Sequence, residues 1–284
     1  MKRVFVPEKT DPKDLHQLLL GAVAPRPIAF VSSYGENGIA NLAPYSYFVA
    51  ISSNPPIVAF SVSRKKGDAP DKDSLLNAKV KQELVINTVH YGIAQQMVLT
   101  SIAFDRGIDE FKKSGLTSVP ALKVDAPMVE ESYINLECRV REIKNFGNHP
   151  GAGNLVICDV VHIHINRNIL GEGDRIDPFK ADILGRLGRA FYTRVTPESI
   201  EKIYQNTQDE IIGFDALPNK IRSNSILSGN EIAQMAKLTL WPNPAEIEKW
   251  KKRKIKTPEE EARRLIKDGQ AQDALALLMA AYTP

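Results

Sequence analysis

Residues Pro25–Phe48, PRPIAFVSSYGENGIANLAPYSYF, join an apolar run, a turn-rich pentapeptide and a segment in which small and polar residues do not alternate cleanly with apolar ones. The run from Pro27 to Ser33 reads as a strand and YGENG as the turn of a hairpin. The puzzle is Asn41–Phe48, where a core-facing strand would carry bulk. Small residues let a ligand approach the backbone, Pro44 removes one N–H, and Asn41 and Ser46 bring hydrogen-bonding side chains beside Tyr45, Tyr47 and Phe48. A flat ligand edged with heteroatoms suits such a wall, and a bulged edge strand gives the same pattern.

Working outward, further strands are expected at Ile57–Ser63, Glu83–Val89, Ile134–Phe146 and Asn154–Ile165. Between them lie SSNPP, KKGDAPD and HPGAGN, all turn chemistry. Most of these strands follow one another too closely for βαβ crossovers, which favours an antiparallel barrel or sandwich. KDSLLNAKVKQ, YGIAQQMVLTS and GIDEFKKSGL are each long enough only for a short helix. Asp11–Pro12 marks the start of an N-terminal helix that Gly21 would end. After about Thr196 the pattern turns helical or irregular. There Thr257, Pro258 and Glu260 fit a capping box, and Gly269 fits a stop between two helices.

Composition excludes several classes. The chain has 284 residues, 43% hydrophobic and 25% charged, as ordinary globular proteins do. With 37 basic and 34 acidic side chains, its net charge of +3 points to neither nucleic acid nor an anionic membrane. No run approaches the length of a membrane span, and the N-terminal stretch lacks signal-peptide organisation, so the expected location is cytoplasmic. Cys138 and Cys158 sit in strand-like runs and read as reduced, buried thiols.

There is no GxGxxG after a strand and no GxxxxGK[ST], so neither standard nucleotide cradle is present. His162 and His164, two apart on a strand, share a face as metal ligands would, but no third ligand is evident and a structural role leads. Lys249–Lys256, KWKKRKIK, reads first as a solvated helix face or linker. Arg64, Lys65, Lys66 and Lys72 occupy a Gly/Pro loop ahead of a helix start at Asp73–Ser74. Cations, a hydroxyl and helix N-terminal amides make an anion site suited to phosphate, while a solvated loop with an ordinary cap reads equally well.

Taken in order, GAVAPRPIAFVSS, GIANLAPYSYFVAISSNPPIVAFSV, KDSLLN, ELVINTV, TSIAF, GIDEFKKSGLT and LGRLGRAFY resemble the flavin reductase family with the FMN-binding split-barrel fold, in its flavoredoxin-like branch. The resemblance covers about the first two thirds of the chain, and the tail after about Arg222 has no counterpart. It implies a mainly β, six-stranded antiparallel Greek-key split barrel over residues 1–205, with peripheral helices, and a helical extension over 206–284. It also implies a homodimer with FMN near the interface. Matched position by position, Asn41, Ala43, Pro44, Tyr45 and Ser46 lie against the isoalloxazine and ribityl chain. Arg64, Lys72, Asp73 and Ser74 match the phosphate side, Asn87 and Ser101 further flavin contacts, and Arg186, Arg189 and Tyr192 a C-terminal rim.

The expected activity is that of an NAD(P)H:flavin oxidoreductase, with NADH or NADPH as transient co-substrate and free flavin or another acceptor, such as a protein, receiving the electrons. Its cofactor would perform the hydride chemistry, so no nucleophile or triad is required. The alternative is an FMN-binding electron carrier or redox sensor working through a protein partner. A metal-dependent enzyme built on His162 and His164 is a third and weaker reading.

Overall fold

The computed structural model describes residues 1–64, 71–203 and 210–282. Lys65 and Lys66, singled out above, lie outside the described residues. The chain divides into two compact units, Met1–Glu201 and Lys202–Pro284.

The first unit opens with helix α1 (Pro12–Ala22), where Asp11 accepts the Lys13 N–H at 2.8 Å and Pro12 occupies the first turn. Strands β1 (Ala29–Tyr34) and β2 (Ala40–Tyr45) form the expected hairpin. Its turn is closed by Gly35 N–H on Ile39 O at 2.9 Å and by Ile39 N–H on Asn37 Oδ1 at 3.1 Å, with Gly38 at φ +75°. There follow β3 (Phe48–Ser53), β4 (Pro56–Ser63), helix α2 (Asp73–Val80), β5 (Glu83–Asn87), and the short helices α3 (Ala94–Leu99) and α4 (Glu110–Ser114). The small pair β6 (Ser118–Pro120) and β7 (Pro127–Val129) precedes the long strands β8 (Ile134–Asn145) and β9 (Gly153–Ile165). Helix α5 (Pro178–Ala181) leads to a last hairpin, β10 (Leu184–Arg186) with β11 (Tyr192–Arg194).

Seven strands form one antiparallel sheet in the order β2-β1-β5-β8-β9-β4-β3. The resemblance implies six; the sheet here has seven, and Asn41–Phe48, read above as one segment, is shared between two of them. The chain breaks at Ser46–Tyr47, and Phe48–Ser53 pairs separately with β4. This break decides the architecture. β2 and β3 stand at opposite edges of the sheet, a distance of roughly 29 Å if six strand spacings lay flat. Yet only two residues separate them, a reach of about 10 Å from Tyr45 to Phe48. The sheet must therefore roll until its edges approach, and it does so without β2–β3 pairing, which is a barrel left open along one seam. Tyr45, Phe60, Val62, Leu84, Ile86, Cys138 and Val156 fill its interior. Burial pushes the Cys158 thiol up to about 12 and raises that of Cys138 well above its ordinary value, as expected of inert core cysteines.

The second unit contains α6 (Asn219–Arg222), α7 (Gly229–Ala236), α8 (Pro244–Lys251), α9 (Pro258–Lys267) and α10 (Ala271–Tyr282), around a core of its own that includes Ile221, Met235, Trp250, Leu265, Leu275 and Leu278. Capping boxes start α7 (Ser228 with Glu231) and α8 (Asn243 with Glu246). The capping box expected at Thr257 does not form. Thr257, at ψ 76°, lies outside the extended geometry that aims an N-cap hydroxyl at the helix amides. Gly269 at φ +76° ends α9, and Gln270 N–H reaches back to Leu265 O at 2.8 Å. The basic cluster runs off the end of α8, with the Arg253 guanidinium 4.6 Å from the centre of the buried Trp250 ring.

Candidate functional site

β2 is an edge strand, and its backbone explains its composition. Its pairing with β1 leaves alternate residues facing outward. Leu42 faces outward, because its N–H donates to the Glu110 carboxylate at 3.0 Å, and Pro44 is two residues on, on the same side. Proline therefore sits where no ladder hydrogen bond is lost, and its outward carbonyl remains as an acceptor at the cavity, while Leu42 is fully buried. By the same parity the Ala43 N–H faces β1, so a close approach to this wall meets the Pro44 backbone.

Against this wall lies a cavity of about 310 Å³. Asn41, Ala43, Pro44 and Tyr45 form one side, Lys72, Asp73 and Ser74 at the start of α2 another, and Ser101 a third, so eight of the fourteen expected residues converge here. A smaller cavity of about 180 Å³ shares Asn41 and Asp73 and extends toward the β1–β2 turn.

The polar residues of the wall are held from behind. Ser74 donates to Asn41 Oδ1 at 2.8 Å, and Asn41 Nδ2 donates to both oxygens of Glu110 at 3.2 Å. Asn41 thus turns its amide toward Ser74 and Glu110 while still bordering the cavity. Burial raises the Glu110 carboxyl above its ordinary range, opposed by the Leu42 N–H and the Asn41 amide. The Tyr45 ring belongs to the barrel core, 5.5 Å from Phe60, and burial pushes its hydroxyl up to about 12. Lys72 Nζ lies 5.4 Å from that ring's centre. Lys72, at the N-cap of α2, makes no side-chain cap bond to the helix, and with Asp73 and Ser74 it lines the cavity at the end where the helix's first amides lie. The Ser101 hydroxyl donates to Val98 O at 2.6 Å, which leaves its oxygen as an acceptor.

Other expected residues lie elsewhere. Asn87 is fully buried within the sheet wall. Its amide donates to Phe30 O at 2.8 Å and Ser32 Oγ at 3.0 Å, and its oxygen accepts from Val129 N–H and from Asn135 Nδ2. It joins strands and does not line the cavity. Arg64 pairs through its backbone with Gly151 and Ala152 in the β8–β9 turn, and does not line it either. Ser46, Arg186, Arg189 and Tyr192 belong to a separate cluster organised by Arg26, a residue whose role the sequence does not betray. Arg26 is 3% exposed. Its guanidinium donates to Leu20 O, to Val23 O at 2.6 Å, to Leu187 O at 2.9 Å and to Ser46 Oγ at 3.4 Å.

Sequence reasoning also misses Thr100, Ile102, Ala103, Phe104 and Glu110 on the cavity wall, although they fall within the stretches TSIAF and GIDEF or beside them. Nothing in the charged stretch DEFKK marks Glu110 out from its neighbours. The His162 and His164 rings lie 5.4 Å apart on β9, and His164 Nε2 meets Glu137 at 2.5 Å. Among the described residues, no three His, Cys, Asp or Glu side chains are grouped to hold a metal ion.

The fold and this cavity define a class. Residues 21–179 match the flavin reductase like domain, and the chain belongs to that family. The helical unit lies wholly outside this match. A protein of Aquifex aeolicus is 32% identical over 200 residues, covering 70% of this chain and 99% of its own. Component B of nitrilotriacetate monooxygenase from Bacillus cereus superposes with a TM-score of 0.66 at 28% identity, over 72% of this chain and 99% of its own. A Shewanella frigidimarina structure with a split barrel domain matches with a TM-score of 0.61 at 19% identity, over 73% of this chain and all of its own, which supports the fold alone. Flavin-related oxidoreduction is the chemistry that family membership assigns.

Proposed function

We propose that the chain is an FMN-dependent oxidoreductase that takes a hydride from NADH or NADPH and passes the electrons to free flavin or another acceptor. The observation that carries this reading is the 310 Å³ cavity between edge strand β2 and a helix start bearing Lys72 and Ser74, within a chain of the flavin reductase like family. The donor set fits FMN. Pro44 presents an acceptor to a heterocycle edge, Ala43 leaves room beside it, and Lys72 at the start of α2 suits a phosphate.

Bound flavin would supply the two-electron chemistry. The chain's own residues position and shield it. Glu110 and Asn41 fix the register of β2 against α2, while Ile102, Ala103 and Phe104 form the apolar side that limits water. NAD(P)H enters as a transient donor, in keeping with the lack of a Rossmann fingerprint, and leaves as NAD(P)⁺.

A homodimer is part of this proposal. Edge strand β3 leaves Val49 and Ile51 50% and 57% exposed, a surface a second copy would cover. No described helix is long and apolar enough to cross a membrane, and a cytoplasmic setting is proposed with the rest. The alternative of a carrier or redox sensor draws on the helical unit, which has its own core and leaves Leu240 and Trp241 exposed for a protein partner.

The deciding experiment is the visible spectrum of the purified protein before and after anaerobic NADH or NADPH, followed by identification of the released flavin. Flavin that bleaches and turns over supports the enzyme. Flavin that binds but ignores both nucleotides supports the carrier, and a protein that binds no added FMN ends both readings.

A further inference from the structure

We propose that the β10–β11 hairpin, through Arg186 and Arg189, is an oxyanion site that takes the pyrophosphate of the pyridine dinucleotide. The proposal rests on the hydride-donor reading above and moves these two arginines from flavin contact to co-substrate contact.

The motif GRLGR, Gly185–Arg189, is built for display. A Cβ on Gly185 would meet Thr193 Cγ2 at 2.8 Å and Pro25 Cβ at 3.2 Å, and one on Gly188 would meet Gly21 Cα at 3.4 Å. Both glycines therefore lie where the hairpin packs against the chain leading into β1. Arg26 locks that packing, exchanging backbone hydrogen bonds with Arg186 at 2.9 and 2.8 Å and holding Leu187 O with its guanidinium. The residue after each glycine is an arginine.

The charge of the hairpin is uncompensated. Asp182, just before β10, is held by Arg194 at 2.7 and 2.9 Å. Arg186 meets neutral groups among the described residues, donating to Arg189 O at 2.7 Å and stacking 4.3 Å from the centre of the Tyr192 ring. Among the described residues no carboxylate pairs with Arg26, Arg186 or Arg189. The nearby Arg186 charge adds to burial in lowering the pKa of Arg26, so an anion here would relieve both guanidinium groups.

The aromatic faces narrow the ligand. Phe191 is 65% exposed, and Tyr192 lies open beside Arg186. Guanidinium groups interleaved with exposed rings suit a ligand that is both anionic and planar, as a dinucleotide is. The location fits as well. Arg26 Nε on Ser46 Oγ ties the hairpin to a residue two beyond Pro44 in the cavity wall, so a donor anchored here lies beside the proposed flavin site.

The test uses adenosine diphosphate ribose, which carries the pyrophosphate without the nicotinamide, titrated calorimetrically into the flavin-loaded protein, with benzoate as a second ligand. R189Q and R186Q should each weaken adenosine diphosphate ribose about tenfold, the loss of one charge-assisted hydrogen bond, with flavin content by absorbance unchanged. Among the described residues the Arg189 side chain has no hydrogen-bond or ion-pair partner, so R189Q reports without a folding penalty. Unchanged binding in both variants overturns the proposal while leaving NAD(P)H oxidation intact as a separate result. Loss of flavin from the variants overturns it by returning the arginines to the flavin site. Benzoate binding that depends on the arginines, without adenosine diphosphate ribose binding, overturns the dinucleotide assignment in favour of an arenecarboxylate acceptor.

Discussion

Glu110 Oε2 accepts the Leu42 N–H at 3.0 Å, and a carboxylate thereby occupies the place of a neighbouring strand along the open edge of β2. Such an amide is available at a sheet edge, and the buried Glu110 side chain holds it. Glu110 is 7% exposed, and its carboxyl titrates above its ordinary value because of that burial.

This burial gives stability a pH dependence of definite sign. Since the folded protein holds this proton more tightly than the unfolded chain, Glu110 lowers stability progressively as pH rises from the ordinary carboxylate value through the folded one. Glu110→Gln removes the titration and keeps an acceptor for Leu42. Urea midpoints by far-UV circular dichroism at pH 7.5 and pH 5 should therefore show the wild type gaining on Glu110→Gln at the lower pH. A gap that does not change with pH would contradict the assignment.

Glu137 predicts the opposite slope. Burial alone would push its carboxyl up, but hydrogen bonds from His164 and from the N–H groups of Leu122 at 3.0 Å and Lys123 at 2.6 Å outweigh it and hold the group below its ordinary value. Its contribution is present above the unfolded carboxylate value and is lost as pH falls through the folded one. Glu137→Gln should cost about 1–3 kcal/mol at pH 7, and the cost should shrink in acid. Amide exchange at Leu122 and Lys123 offers a second readout, expected to accelerate in the variant at neutral pH.

Ala43 tests the wall itself. Ala43 borders the cavity and also packs against the barrel core, so replacement by Phe crowds this junction while the backbone pairing of Ala43 with Val31 is kept. FMN affinity by fluorescence quenching should fall at least tenfold, about 1.4 kcal/mol, with the circular dichroism spectrum preserved. Unchanged affinity would make the small residues of β2 a feature of the edge strand alone.

How much of this is legible in the sequence depends on whether the cause is local. The Pro27–Ser33 strand, its YGENG turn and the three short helices are readable, since turn chemistry and apolar patterning act within a few residues. The break at Ser46–Tyr47 is not, because what splits the segment is the pairing of Phe48–Ser53 with β4 at the far edge of the sheet. Asn87 illustrates the same limit. Its composition permits a ligand contact, but partners on β1, β7 and β8, brought together by the tertiary fold, engage both ends of its amide. Arg26 escapes notice because an arginine between two prolines looks like a solvated linker until the carbonyls of Leu20, Val23 and Leu187 converge on it.

The helical unit can be followed separately, because both tryptophans of the chain, Trp241 and Trp250, lie in it. Trp250 is 4% exposed, packs in the core of that unit and donates its indole N–H to Asp273 at 3.2 Å. Trp250→Ala opens a cavity there and should cost about 3–5 kcal/mol, while the exposed Trp241 remains as a fluorescent probe. Since residues 21–179 carry the family match and the proposed flavin cavity, FMN affinity should be unchanged while the Trp241 transition shifts to lower urea. A parallel loss of flavin would mean that the helical unit supports the site, and the carrier reading, in which that unit meets a partner, would lose its separate module.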